Sequence, residues 1–257
     1  MIRLSVNVNK IATVRNSRGG KVPSVLDAAR VVVRAGAQGI TVHPRADRRH
    51  ITPEDVHEIA THFAKEWGPE LEYNIEGDPR PDWVDMVLKL RPAQATLVPV
   101  TEGEVTSHAG WEPEKHRELL EPTIRRLKAA KIRVSLFVDA TPASIQWARA
   151  MEADRVELYT EPFARAFEQG RASVLASFKT FTEAAKLARS LGLGINAGHD
   201  LDLDNLTVFR ALPHLAEVSI GHAIVSRALF EGLDRVVRDY LDILKPRTPS
   251  DEPPTVH

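Results

Sequence analysis

Eight short runs of apolar, largely β-branched residues alternate with stretches of helical periodicity along this chain. Strands joined by helices run parallel, because each helix carries the chain back to the same end of the sheet. Eight such units fit a closed (β/α)8 TIM barrel with extra short helices better than an open doubly wound sheet, which usually needs fewer strands and two domains. The predicted strands are residues 3–8, 39–43, 71–75, 95–99, 133–139, 155–158, 194–197 and 217–220.

Helical segments occupy the intervals between the strands, and several of their ends carry capping residues. Thr52 and Pro53 suit the N-cap and the first position of one helix, while Gly36 and Gly192 suit helix C-termini. An extra short helix is predicted at residues 161–171. The other predicted helices are residues 24–35, 82–90, 116–130, 142–151, 178–191, 203–212 and 223–230.

Three segments interrupt this alternation. Residues 10–22 and 100–114 are long connections after the first and fourth strands, and such connections in barrels usually act as lids. Residues 246–257 hold four prolines among polar residues, which predicts a disordered C-terminal tail. We therefore expect a single barrel catalytic domain over residues 1–245.

The chain has 257 residues and no cysteine, which excludes disulfide bonds, thiolate nucleophiles and cysteine-bound metal centres. Its formal net charge of -1 does not indicate a strongly basic face for nucleic acid. It has no apolar run of membrane-spanning length, and its first residues lead into a strand rather than a signal peptide. These features predict a cytoplasmic protein without nucleic-acid or membrane partners.

Polar side chains interrupt several of the predicted strands. Glu72 and Glu157 each lie between apolar neighbours, and a buried carboxylate in such a strand needs a partner. Asn7 and His43 lie on the polar faces of the first two strands. Together these residues predict a polar centre in the barrel, although a surface position or a structural ion pair would explain any one of them.

Two anion sites are predicted at the mouth of the barrel. Gly198-His199 and Gly221-His222 end the last two strands, where glycine admits a ligand close to the backbone and helix N–H groups bind phosphate. Tight turns with packed histidines are the alternative explanation. A second, basic cluster follows the first two strands and suits bidentate phosphate binding. Its members are Arg15, Arg18, Arg45, Arg48, Arg49 and His50. Two such sites suit a bisphosphate or two phosphorylated substrates.

The chain resembles the pyridoxine 5'-phosphate synthase family over roughly residues 3–245, in segments that include every strand. The most specific matches are Asp47-Arg48-Arg49-His50-Ile51 and the paired Gly-His endings. The other matching segments are residues 5–13, 15–19, 39–43, 71–72, 97–99, 134–139, 156–158, 196–199 and 220–224.

This resemblance implies a closed barrel that assembles into a homo-oligomer, an octamer in the family. It implies a transferase-type, ring-forming condensation of 3-amino-2-oxopropyl phosphate with 1-deoxy-D-xylulose 5-phosphate in vitamin B6 biosynthesis. The products would be pyridoxine 5'-phosphate, inorganic phosphate and water. No metal and no organic cofactor are expected, and the partners are the two phosphorylated small molecules.

The resemblance also implies roles for individual residues. His43 and Glu72 are similar to the proton acceptors, His199 to the proton donor, and Glu157 to a residue that stabilises charged transition states. The residues similar to deoxyxylulose phosphate contacts are Arg45, His50 and Thr106. The residues similar to aminoketone phosphate contacts are Asn7, Arg18, Gly221 and His222.

Three positions depart from the family pattern. Asn9 and Lys10 stand where many members have Asp-His, and we expect this position to contact the sugar hydroxyls. Lys10 is expected to face solvent or a phosphate rather than to form a transient imine. Asp200 replaces a glycine that often follows the His199 motif. We expect its backbone N–H to bind substrate and its carboxylate to turn away from the phosphate.

Three other functions remain compatible with the residues. An isomerase or epimerase would turn over one phosphosugar without an amine, and a catalytically silent binding protein would retain a phosphate ligand unchanged. A metallo-hydrolase would use His43, Glu72 and His199 as metal ligands and would lose activity to a chelator.

Overall fold

A computed structural model describes residues 1–100 and 108–246 of the chain. Its eight strands form one closed barrel in sequence order, and the first strand pairs in parallel with both the second and the eighth. The predicted (β/α)8 architecture is therefore confirmed. The strands are β1 (Arg3–Asn7), β2 (Gly39–Val42), β3 (Glu72–Gly77), β4 (Gln94–Leu97), β5 (Arg133–Val138), β6 (Arg155–Tyr159), β7 (Gly194–Gly198) and β8 (Leu215–Ile220).

Eleven α-helices surround the barrel within the described ranges, and a π-helical turn, Phe63–Trp67, follows the third of them. None of these helices is long and apolar enough to cross a bilayer. The helices are α1 (Asn9–Asn16), α2 (Val25–Ala35), α3 (Pro53–His62), α4 (Pro81–Leu90), α5 (Arg117–Ala129), α6 (Pro142–Ala150), α7 (Glu161–Glu168), α8 (Arg171–Ser190), α9 (Leu203–Phe209), α10 (His222–Glu231) and α11 (Leu233–Leu244).

Two of these helices, α1 and α11, are absent from the helices predicted from the sequence. Residues 10–22 were expected to form a lid, but the first half of this segment belongs to α1, whose Ala12 is fully buried. Helix α11 was not predicted, although Val236, Val237 and Tyr240 bury its inner face. Residues 101–107 of the second expected lid and residues 247–257 of the predicted tail lie outside the described residues.

Helix α3 begins with a capping box that also joins it to α1. The Thr52 side chain accepts a hydrogen bond from the backbone N–H of Asp55, and the Asp55 carboxylate accepts one from the backbone N–H of Thr52 at 2.8 Å. The same carboxylate forms an ion pair with Arg15 of α1. This contact holds α1 against the start of α3.

The interior of the barrel is polar, whereas branched apolar side chains fill most barrels of this kind. A middle layer of hydroxyl and amide groups surrounds Thr41, whose hydroxyl lies 2.7 Å from Ser5 Oγ and 3.3 Å from Asn74 Nδ2. A lower layer of charged side chains lies at the N-terminal ends of the strands. Its members are Arg3, Glu72, Arg133, Arg155 and Glu217. The ligand-accessible end is therefore the opposite one.

Candidate active site

A cavity of about 440 Å³ opens at the C-terminal ends of the strands, where barrel enzymes carry their catalytic groups. Every strand supplies a lining residue directly or through the segment that follows it. The cavity brings together most of the residues predicted from the sequence. They are Asn7, Asn9, Lys10, His43, Arg45, His50, Glu157, His199, Asp200, Gly221 and His222.

Three predicted site residues are not among the cavity lining. Thr106 lies outside the described residues. Arg18 is exposed beyond the end of α1 and does not line the cavity of its own chain. Glu72 is buried in the lower charged layer, where Arg3 donates to its carboxylate at 3.0 Å and Arg133 forms a second ion pair.

The structure therefore does not bring Glu72 into the cavity with the other predicted site residues. Glu72 is the first residue of β3 and faces the closed end of the barrel. Asn74 and Glu76 lie on the same inward face, two and four residues after Glu72. Of these, Glu76 lines the cavity. The predicted strand ends at residue 75, one residue short of Glu76. Continued alternation up to Gly77, ahead of the turn-forming Asp78 and Pro79, was the available signal.

Glu76 lies beside two other predicted site residues. Its Oε2 is 3.7 Å from His43 Nδ1 and accepts a hydrogen bond from Asn7 Nδ2 at 3.3 Å. The Trp83 indole donates to the Glu76 carbonyl at 2.9 Å and fills the space beside Gly77, where a Cβ atom would collide with the ring. Only glycine fits at this position, and this close packing fixes the end of β3 that carries Glu76.

Burial makes His43 a neutral imidazole. Its pKa lies well below the usual value, first because the ring is buried and then because His50, Arg45 and Arg80 add positive charge nearby. The backbone N–H of His43 donates to Asn9 Oδ1 at 2.9 Å, which holds the turn after β2 against α1. A neutral imidazole in this position can accept a proton.

Glu76 and Glu157 form a buried pair of carboxyl groups. Burial raises the pKa of Glu76 to about 8. Burial also raises the pKa of Glu157 well above its usual value, and the nearby charges of Glu76 and Glu217 raise it further. Two buried carboxyl groups whose charges repel each other do not both ionise near neutral pH, so the pair keeps a proton available for transfer.

The basic side of the cavity follows β2. Arg45 is only 6% exposed and lies 3.4 Å from Asp47, which also pairs with Arg49 at 2.6 Å. Burial alone would raise the pKa of Asp47, but hydrogen bonds from Arg49 and the charge of Arg45 lower it to about 2. Burial, Arg45 and Lys10 lower the pKa of His50 to about 4. These groups form a cationic corner around a neutral imidazole.

The β7 corner contains an imidazole–carboxylate pair. His199 Nδ1 lies 2.7 Å from Asp200 Oδ2, and this hydrogen bond lowers the pKa of Asp200 despite its partial burial. The two residues have positive φ angles of 83° and 56°. The Thr160 hydroxyl donates to the carbonyl of Gly198 at 2.8 Å and also contacts the His199 carbonyl. The Asp200 carboxylate thus turns to His199, as expected for a side chain near an anion site.

The β8 corner combines a glycine with a helix N-terminus. A Cβ atom at Gly221 would lie 2.8 Å from the Asn7 carbonyl, so only glycine lets β8 and β1 approach so closely here. Helix α10 begins at the next residue, His222, and directs its first N–H groups towards the mouth. Such a helix end favours phosphate. Among the described residues, no group of three or more His, Asp or Glu side chains is arranged to hold a metal ion.

Comparison with known sequences identifies close relatives of this chain. The family model described as "Pyridoxal phosphate biosynthesis protein PdxJ" matches residues 4–246. A protein of Christiangramia forsetii named "Pyridoxine 5'-phosphate synthase" is 50% identical over 248 residues, covering 95% of this chain and 100% of the relative. Proteins with the same name from Leptospira biflexa and Bacteroides thetaiotaomicron are each 46% identical, and the matches cover 95% of this chain and 97% and 100% of those relatives.

Comparison with solved structures identifies the same fold at low sequence identity. Phosphoribosyl anthranilate isomerase from Thermotoga maritima superposes with a TM-score of 0.60 at 14% identity, covering 95% of this chain and 98% of that one. Thiamine phosphate pyrophosphorylase from Pyrococcus furiosus gives a TM-score of 0.60 at 12% identity, with 95% of each chain covered. At these identities the likeness extends to the barrel fold alone.

Proposed function

This chain belongs to the pyridoxal phosphate biosynthesis protein PdxJ family, and on that premise we propose that it is a pyridoxine 5'-phosphate synthase. The reaction joins 3-amino-2-oxopropyl phosphate to 1-deoxy-D-xylulose 5-phosphate and closes the pyridine ring of pyridoxine 5'-phosphate. Inorganic phosphate and water leave. The observation that carries the proposal is one cavity that combines two phosphate-binding corners with a buried His43–Glu76–Glu157 proton-transfer group.

The two anion corners suit the two phosphate groups. Arg45 and His50, after β2, would contact the deoxyxylulose phosphate, and Thr106, outside the described residues, remains a proposed contact by resemblance to the family. The N–H groups around Gly221 and His222, with Asn7 beside them, would bind the aminoketone phosphate. Both substrates would then lie in one cavity, where proximity removes much of the entropic cost of joining them.

The proton transfers follow from the protonation states of the buried groups. Neutral His43 can accept the proton that the amine loses when it attacks the ketone. Glu76, whose pKa is about 8, can donate a proton to the leaving hydroxyl near neutral pH and can then remove a C–H proton as the carboxylate. Glu76 therefore takes the proton-acceptor role that the family resemblance implied for Glu72.

The remaining residues act around this centre. Glu157 faces the same cavity. A positive charge that forms beside it on an iminium-like intermediate would favour its ionised form, and the resulting carboxylate would stabilise that charge. His199, held by Asp200, would protonate the oxygen that departs on the β7 side. Asn9 and Lys10 would contact sugar hydroxyls from the start of α1. Arg18 does not reach the cavity of its own chain, so nothing within one subunit supports a contact from it.

We also propose that the protein works in the cytoplasm as a homo-oligomer, an octamer by resemblance to its family, without a metal or an organic cofactor. Family membership supports these properties. Sedimentation of the purified protein tests the assembly. An octamer is expected, and a monomer at micromolar concentration would contradict the proposal.

One experiment tests the reaction itself. The purified protein is mixed with both phosphorylated substrates, with and without a chelator, and the pyridine absorbance of the product is followed. Product in both mixtures supports the proposed function. Conversion of the sugar phosphate without the amine would identify an isomerase instead, binding without turnover would identify a silent binding protein, and loss of activity only with chelator would identify a metal-dependent enzyme.

A further inference from the structure

One wall of the cavity is apolar. Val98 follows β4, Phe137 lies on the inner face of β5, and Tyr159 ends β6. These three side chains form a small apolar cluster separate from the main core, and each is 4–5% exposed. Phe137 packs against Tyr159 with ring centroids 5.5 Å apart, and Tyr159 meets the His199 ring edge-on at 5.1 Å. Val98 and Phe137 line the cavity.

The apolar wall and the basic corner lie at different sides of the same mouth. In a closed barrel of eight strands in sequence order, β4 and β5 are two and three strands away from β2, and the basic corner follows β2. A ligand whose phosphate binds at Arg45 and His50 can therefore extend its far end through the shared cavity towards Val98 and Phe137.

The backbone around this wall offers little to a hydroxyl group. The Val98 N–H donates to the Gly77 carbonyl at 3.0 Å. The Trp111 indole donates to the Leu97 carbonyl at 2.8 Å, and the Trp111 N–H donates to the Phe137 carbonyl at 3.0 Å. Within the part of the chain that the structure describes, the backbone N–H groups of Val98 and Trp111 are thus already used. A hydroxyl placed against Val98 and Phe137 would lose its water without gaining a bond from either group, and that loss is unfavourable.

We propose that Val98 and Phe137 hold the C1 methyl group of 1-deoxy-D-xylulose 5-phosphate and thereby select 1-deoxy sugar phosphates over sugar phosphates that carry a hydroxyl at C1. This inference rests on the proposed synthase function. The methyl group is the one apolar substituent of either substrate, because the rest of both molecules consists of phosphate, hydroxyl, carbonyl, amine and the carbons that bear them. An apolar pocket commonly disfavours an added hydroxyl by about 100-fold.

The test compares 1-deoxy-D-xylulose 5-phosphate with D-xylulose 5-phosphate, each with 3-amino-2-oxopropyl phosphate. The wild-type protein should favour the deoxy sugar by about 100-fold in kcat/KM. Val98→Thr keeps the size and branching of the side chain but adds a hydroxyl, so the preference should fall about tenfold or more. Val22→Thr makes the same change at an exposed residue and should leave the preference unchanged.

A second variant covers the case in which Val98→Thr does not fold. Val98→Ile stays apolar and β-branched but occupies the space proposed for the methyl group. Its KM for the deoxy sugar should rise about fivefold or more, while its KM for the aminoketone phosphate stays within about twofold.

Equal effects on both sugar phosphates, or on both substrates' KM values, would overturn the assignment of the methyl site. Absence of product from the wild-type protein with either sugar would instead overturn the proposed synthase function. Product formation with no preference between the two sugars overturns only the specificity inference.

Discussion

Glu72 and Glu76 face into the barrel from the same strand, four residues and about 13 Å apart, yet their partners differ completely. Glu72 lies between Arg3 and Arg133 at the closed end. Glu76 lies 3.7 Å from His43 in the cavity. The same side chain type therefore belongs to an ion-pair network at one end of β3 and lies beside a candidate catalytic histidine at the other. We expect substitutions at the two positions to have separable effects.

Glu76→Gln should abolish most product formation. The amide cannot exchange a proton with substrate, and loss of one general acid–base group commonly costs about 100- to 10,000-fold in rate. The variant is nearly isosteric, so its circular dichroism and assembly should match those of the wild type. Steady-state product formation measures the effect, and near-normal turnover would remove Glu76 from the mechanism.

Glu72→Gln should reduce stability instead. Removal of the buried carboxylate leaves Arg3 and Arg133, whose side chains are 35% and 29% exposed, with less compensating charge, which costs about 1–3 kcal/mol in free energy of unfolding. Urea unfolding measures this loss, and the folded variant should keep kcat within about threefold of wild type. Glu152→Gln, at an exposed position, is the matched control and should leave both properties unchanged. A folded, stable but inactive Glu72→Gln protein would contradict this assignment.

Glu76→Gln should also stabilise the protein at alkaline pH. In the unfolded chain this carboxyl ionises near pH 4.5, whereas in the folded protein burial raises its pKa to about 8. Between these values unfolding releases a proton, so the wild-type protein loses stability as pH rises. The variant should therefore gain on the order of 3 kcal/mol over wild type at pH 8 and little at pH 4.5. Urea unfolding at both pH values measures this gain. A stability difference between variant and wild type that does not change with pH would contradict the raised pKa of Glu76.

Asp200 should set the orientation of His199. The carboxylate accepts the Nδ1 hydrogen bond at 2.7 Å, which leaves Nε2 as the nitrogen that exchanges protons. Loss of a charge-assisted hydrogen bond costs about 1.5–3 kcal/mol, so Asp200→Gly should lower kcat about tenfold or more. Asp200→Asn keeps an acceptor oxygen and should retain more activity.

The backbone makes this pair of variants informative. Asp200 has a φ of 56°, a conformation that both glycine and asparagine tolerate, so neither replacement adds strain. The kcat and its pH profile are compared for the three proteins. Equal activity of Asp200→Gly and wild type at every pH would show that the carboxylate does not position His199.

Asp55→Asn should weaken the junction between α1 and α3 in a pH-dependent way. Burial would raise the pKa of Asp55, but the hydrogen bonds from Arg15 and Thr52 outweigh it and lower the pKa below 3.8. The stability that ionised Asp55 contributes is therefore fully present above pH 3.8, and it disappears as the pH falls through the lower pKa of Asp55 in the folded protein. The variant should lose about 1–3 kcal/mol at pH 7 and less near pH 3. Thermal unfolding across this range measures the loss, and an equal loss at both ends would contradict the ionic contribution.

The positions of the strands and most of the helices could be predicted because their signals are local. Apolar periodicity, the Thr52-Pro53 start of α3 and the glycine after α2 each depend on residues close in sequence. Helix α1 was mistaken for a loop because it carries little apolar character of its own and is held by contacts to β2 and α3. Its formation depends on partners that are distant in sequence.

The sequence by itself determined the eightfold alternation, the polar inner faces of the strands and the residue types available at the mouth. Only the tertiary structure decided at which depth each inward side chain lies, and so whether Glu72 or Glu76 meets His43. Alternation repeats every two residues and specifies a face, but height within a closed barrel depends on how each strand is staggered against its neighbours. That stagger is set by pairing between residues far apart in the chain, such as Thr41 with Asn74 in β2 and β3.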